Sequence, residues 1–154
     1  MSSAVIVSLR VKVSPARAFE AFTQDIGLWW RPNALFQLTP RGDGVLRFDG
    51  REGGRLLSTL PNGRDFELGR ISVWAPGERL AFSWRPATFS QAQTTHVEIT
   101  FEAIGEETRV TVAHRGWSDI PEAHAARHGF PLGQFQMRLG EHWRAQLASL
   151  AEIA

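Results

Sequence analysis

From Gly44 to Arg115 the chain is cut at short intervals by turn-forming clusters: Gly50, Gly53-Gly54, Pro61-Asn62-Gly63, Ala75-Pro76-Gly77-Glu78 and Gly105-Glu106-Glu107. Glycine reaches the positive φ values of tight turns and proline presets the first turn residue, so such clusters mark hairpin ends. The text between them alternates in polarity with the period of two of a half-buried strand. The spacing predicts antiparallel strands over 45–49, 55–59, 66–74, 79–85, 94–103 and 108–115. Alternation of Val5, Val7, Leu9, Val11 and Val13 adds an earlier one, for about seven in all. Parity puts Ile71, Val73, Leu80, Phe82, Trp84, Val97, Ile99, Phe101, Val110 and Val112 on one face. Arg70, Ser83, Arg85, His96, Glu98, Glu102, Arg109 and Thr111 take the other. Such a sheet needs cover on one side only.

The cover is at the end of the chain. Over 131–153, Phe135, Leu139, Trp143, Leu147 and Leu150 recur at steps of three and four, the apolar stripe of a long helix. Before the hairpins, Ser14-Pro15 supplies an N-cap and a proline at the first helical position, and Ala18, Phe19 and Phe22 follow at helical spacing to about Thr23. Asp25 is placed to cap a second short helix through Ile26, Leu28, Trp29 and Trp30, stopped by Arg31-Pro32-Asn33. The expected class is α+β: one strand, two short helices, a run of antiparallel strands, then a long helix across the sheet. The 154 residues are expected to form one domain, residues 1–154.

Composition removes several function classes. With no Cys there is no disulfide framework, thiolate zinc site or Cys nucleophile, and a cytoplasmic home is the expectation. No apolar run approaches the roughly 20 residues of a membrane span. The opening segment from Met1 lacks a basic region and a cleavage site, and it reads as a strand. A net charge of +1, with arginines dispersed among acids, argues against nucleic acid as the partner. Gly42-Asp43-Gly44 reads as a turn, no phosphate-binding loop is present, and no cofactor is expected. Ser58, Ser72, Ser83 and Ser118 lack the Gly-x-Ser-x-Gly elbow of a serine hydrolase.

Several strings carry a family likeness. Val13-Ser14-Pro15-Ala16-Arg17-Ala18-Phe19, Trp29-Trp30, Gly53-Gly54-Arg55, Gly69-Arg70-Ile71, the run from Pro76 to Trp84, the run from Thr108 to His114 and the run from Trp143 to Leu150 occur in order along the whole chain. They resemble the START-like (SRPBCC) superfamily and, within it, the branch named after the activator of a heat-shock chaperone's ATPase. The resemblance implies a helix-grip fold, a curved sheet around a long C-terminal helix, with a cavity where the two do not close. One position departs: the family usually has Gly directly before the closing Trp, where this chain has His142 before Trp143.

The chain's aromatic content, 6 Trp and 10 Phe, supports such a cavity. The expected walls are Trp29, Trp30, Trp84, Phe101, Phe135, Leu139 and Trp143, with Phe82 also inward. Trp29 and Trp30 read either as a lid over the cavity mouth or as two staples of the core. His114 falls on the inward face with Val110 and Val112, where it would anchor a ligand's polar group, act as a general base, or satisfy a backbone carbonyl near the helix end. Asp119 and Glu122 are the nearest acids that follow it. His124 and His128, four apart, would share a helix face, but no third metal ligand is suitably spaced and no metal site is expected. The expected function is binding of a hydrophobic or amphipathic small molecule. The alternatives are a cyclase- or dehydratase-like enzyme using the same cavity, with His114 as its candidate, and a chaperone-associated interaction module. A homodimer is also plausible on this reading.

Overall fold

A computed structural model describes residues 4–154; Met1 to Ser3 of the expected opening segment lie outside the described residues. Seven strands form one antiparallel sheet: β1 (Ala4–Val11), β2 (Val45–Asp49), β3 (Arg55–Thr59), β4 (Asp65–Ala75), β5 (Arg79–Trp84), β6 (Thr95–Ile104) and β7 (Glu107–Arg115). Their order is β1-β7-β6-β5-β4-β3-β2, so every hairpin pairs with its neighbour in sequence and only β1 crosses the sheet to lie beside β7. Three helices complete it: α1 (Pro15–Gln24), α2 (Ile26–Trp29) and α3 (Leu132–Ile153). This is the curved sheet and long terminal helix of the helix-grip fold.

The hairpins form where turn chemistry allows. Gly77 and Gly105 take positive φ at the β4–β5 and β6–β7 turns, a region L side chains rarely adopt. Ser14 caps α1 as expected, its Oγ accepting from the Arg17 N–H at 3.2 Å. Asp25 stands at the N-cap of α2, but its side chain makes no cap bond: its carboxylate lies 3.5 Å from the Arg17 guanidinium, and its carbonyl takes the Leu28 and Trp29 N–H groups. α2 stops at Trp29, one residue before the expected end, because Trp30 is already extended.

The faces follow parity with one exception. A bulge between Ile71 and Val73 shifts the β4–β5 register, so Trp74 pairs with Leu80 and faces the core, while Val73 pairs with Ala81 on the other side. Trp74 then packs edge-on against Phe19 of α1 at 5.2 Å. Parity assigned Val73 inward because it carries no sign of an inserted residue. A second irregularity separates Leu56 and Leu57 on β3. Opposite it, a Cβ on Gly69 would sit 1.7 Å from the Ser83 carbonyl oxygen, which explains why glycine stands there.

The helix α3 buries Phe135, Leu139, Trp143, Leu147 and Leu150 against the apolar face, as its stripe requires. It also holds α2 in place: Ser149 donates to the Trp29 carbonyl at 2.5 Å, and Gln146 clamps both backbone groups of Arg31. No helix is long and apolar enough to cross a membrane among the described residues.

Candidate functional site

Trp84 at the end of β5, His114 near the end of β7, and Leu139, His142 and Trp143 on one face of α3 surround a cavity of about 260 Å³. Helical spacing of three and four puts the α3 side chains on that common face. The other walls are loops. Residues 34–40, from the α2–β2 connection, line one side; Pro86 and Thr88 line a second; Trp117, Ala125, Ala126 and His128, from the β7–α3 connection, line the third. The cavity therefore lies at one end of the sheet, walled by the helix and roofed by loops, and is not a slot along the whole sheet–helix interface.

The three loops are tied to one another. Ala87 N–H donates to the Leu38 carbonyl at 2.8 Å, His124 Nε2 bonds the Thr88 carbonyl at 3.1 Å, and His128 Nε2 bonds the Leu35 carbonyl. His124 and His128 thus do not share a helix face: they flank a single 3₁₀ turn, His128 in a left-handed conformation, and reach to different loops. No group of three residues suited to a metal ion occurs among the described residues.

His114 is fully enclosed. Nδ1 accepts from the Trp143 indole N–H at 3.1 Å, and Nε2 lies 2.8 Å from Thr95 Oγ1. An indole nitrogen only donates, so Nδ1 carries the lone pair and Nε2 the proton. Nε2–H then donates to Thr95, whose hydroxyl donates to the Trp84 carbonyl at 2.9 Å. Burial pushes the imidazole down to about 3, with His142 and His96 adding to it. Both nitrogens are engaged. The side chain reaches a backbone carbonyl only through Thr95, and Asp119 and Glu122 are not its partners.

The other expected wall residues fall outside this cavity's lining. Trp29 is in the core, donating to the Ala21 carbonyl at 3.1 Å and packed on Phe22 at 4.9 Å. Trp30 is buried between Trp84 and Trp143, at 5.5 and 5.7 Å. Both tryptophans staple the core. Phe101 packs against Phe19 and Phe22, under α1. Phe135 lies behind the cavity wall, against Trp117 at 4.6 Å.

Sequence reasoning passed over Asp43. It is 5% exposed, one carboxylate oxygen taking the Trp30 indole N–H at 2.7 Å and the other the Leu38 N–H at 3.1 Å. Burial raises its carboxyl above the ordinary range, and the hydrogen bonds from Trp30 and Leu38 oppose that rise. It fastens the loop that walls the cavity to the tryptophan core. The signal for that loop was its length: residues 30–44 carry no periodicity, and a connection longer than about 12–15 residues is usually functional or disordered. His142 was marked only as a departure from a family pattern. It is 5% exposed, and burial pushes it down to about 4.

Residues 12–154 match the family described as Activator of Hsp90 ATPase homolog 1-like protein. No curated protein matches the chain. Among solved structures, an anthrahydroquino-Gama-pyrone synthase, Txn09, complexed with SUM, is similar at 26% identity and a TM-score of 0.58, covering 98% of this chain and 96% of that one. PFC0360w, an HSP90 activator from Plasmodium falciparum, is similar at 19% identity and a TM-score of 0.65, covering 97% and 94%. The Aha1 dimer from Colwellia psychrerythraea is similar at 17% identity and a TM-score of 0.62, also covering 97% and 94%.

Proposed function

Since the chain belongs to the Activator of Hsp90 ATPase homolog 1-like family, whose helix-grip fold leaves room between sheet and helix, we propose that it binds a compact hydrophobic or amphipathic small molecule in the loop-roofed cavity. The observation that carries this reading is the cavity itself: about 260 Å³ walled by Trp84, Leu139 and Trp143. An apolar body that fills it takes apolar wall out of water and gains packing contacts. An apolar cavity of about 150 Å³ takes benzene, so this one fits a molecule of one or two rings. The synthase Txn09, of similar fold and complexed with SUM, supports ligand binding and equally the enzyme alternative.

The cyclase or dehydratase alternative loses its candidate base, because both nitrogens of His114 are already engaged. Interaction with a chaperone keeps support from the family description and from the HSP90 activator among the similar structures. Leu28 and Val45 add to that reading: both are exposed, at 65% and 59%, where α2 meets edge strand β2. They offer a patch for a partner or a second copy.

The test is native mass spectrometry of purified protein beside its denatured mass, followed by titration with small aromatics read by Trp fluorescence. A retained or saturably bound small molecule is expected. A clean protein mass with no quenching by any of them would move the assignment to the interaction module.

A further inference from the structure

We infer that His142 orients the ligand, its Nδ1–H donating to a carbonyl oxygen on a compact one- or two-ring molecule. This rests on the cavity reading above and adds the chemistry of recognition to it. His142 lies between Leu139 and Trp143 on the cavity-facing side of α3. Its ring is held from two sides, by Phe36 at 5.1 Å and 33° and by the edge of Trp30 at 5.5 Å and 83°.

The tautomer follows from its neighbour. Gln146 Oε1 accepts the Arg31 N–H at 2.8 Å and Gln146 Nε2 donates to the Arg31 carbonyl at 2.5 Å, so the amide cannot flip without breaking both. The nitrogen that faces His142 Nε2, at 3.5 Å, is therefore a donor. Nε2 receives, and the ring proton sits on Nδ1. Nδ1 takes part in none of the hydrogen bonds found among the described residues, on a side chain that lines the cavity.

Two features set what that N–H recognises. Burial holds the ring neutral near pH 7, so it offers one N–H and no charge. Arg127, buried and next in the chain to the wall residues Ala125 and Ala126, donates to the Ile120 and Phe130 carbonyls and lies over the Phe135 ring at 5.7 Å, and no carboxylate pairs with it among the described residues. A positive charge with no carboxylate partner favours an electron-rich oxygen over a second donor in its neighbourhood. Of the other two imidazoles lining the cavity, His114 has no free nitrogen and His128 spends its Nε2–H on the Leu35 carbonyl, which leaves the unpartnered indole N–H of Trp117 as the competing donor that His142→Phe distinguishes.

A matched pair of probes isolates the hydrogen bond. Tetralin and α-tetralone share a bicyclic frame and differ in one carbonyl. Titrated into the full chain and read by Trp fluorescence, α-tetralone is expected to bind about three- to tenfold more tightly than tetralin. His142→Phe, which keeps a flat ring, should bind tetralin within about twofold of the parent and lose the carbonyl preference. His142→Asn, whose amide nitrogen falls near the position of Nδ1, should recover part of it. A preference that survives in His142→Phe, or equal binding of both probes by the parent, overturns the inference and leaves the cavity reading standing. Failure of the parent to bind either probe overturns both. A readout independent of folding in the variants is ¹⁵N NMR of the imidazoles: His142 should be the Nδ1–H tautomer and His114 the Nε2–H tautomer, and an Nε2–H signal for His142 would contradict the assignment.

Discussion

The indole N–H of Trp143 donates to Nδ1 of His114 at 3.1 Å, and this single contact decides what His114 can do. It fixes the tautomer, fills the nitrogen that faces α3, and leaves the other to Thr95. Trp143→Phe keeps an aromatic ring but removes the donor and part of the ring volume, stranding a buried acceptor beside a smaller side chain. Urea unfolding should show a loss of about 1–3 kcal/mol. An unchanged midpoint would mean that the hydrogen bond carries no stability.

Acid should unfold the protein through its buried histidines. Unfolded histidines titrate near 6.5, whereas the folded values are about 4 for His142 and about 3 for His114. Between these limits the unfolded chain binds protons that the folded chain refuses, so stability is complete above about 6.5 and is lost as the pH falls toward 4 and then 3. His142 alone accounts for about 3 kcal/mol across its window. Asp43, with its carboxyl raised, works in the opposite direction. Thermal melts from pH 7 to 4 should fall steeply for the parent and less steeply for His142→Phe; parallel slopes would contradict this.

Asp43→Asn removes a charge that burial disfavours, yet it should destabilise the fold. Both carboxylate oxygens accept, from Trp30 and from Leu38, and an amide can accept at only one of them. A cost of about 1–3 kcal/mol is expected by denaturant titration, with weaker ligand binding because residues 34–40 lose their anchor. A stabilised variant would show that the buried charge outweighs the two hydrogen bonds.

Gly69→Ala tests close backbone packing at the β4–β5 hairpin. Its Cβ would meet the Ser83 carbonyl at 1.7 Å, a contact only backbone movement can relieve. The expected loss is at least about 3 kcal/mol, or failure to fold; a mild effect would mean that the strand yields there.

The order of elements was legible in the sequence because it rests on local signals. Turn glycines, period-two strands and the stripe from Phe135 to Leu150 each act within a few residues, and all seven strands and three helices follow from them. Val73 was misplaced because a bulge adds a residue without marking the text. The site was less legible. Trp84, His114, Leu139 and Trp143 were named and do meet at the cavity, since strand parity and helix spacing brought them inward. Phe101 and Phe135 were named on the same grounds, and Trp29 and Trp30 from their place on the second short helix, but such signals separate inside from outside and do not divide a filled core from a cavity wall. Asp43 and Gln146 act through partners 13 and 115 residues away, pairings that are properties of the fold, whereas His142 is four residues from Gln146 on α3 and was missed because a polar residue beside an apolar stripe carries no signal of burial.

The central claim, that the loop-roofed cavity holds a small molecule, is tested most directly by the indole N–H signals in a ¹⁵N–¹H NMR titration with α-tetralone. Trp84, Trp117 and Trp143 line that cavity, whereas Trp74 lines a separate groove beside α1. Saturable shifts of the first three signals with Trp74 unmoved are the predicted result. Silence of all of them at millimolar ligand, or movement of Trp74 alone, would contradict the account.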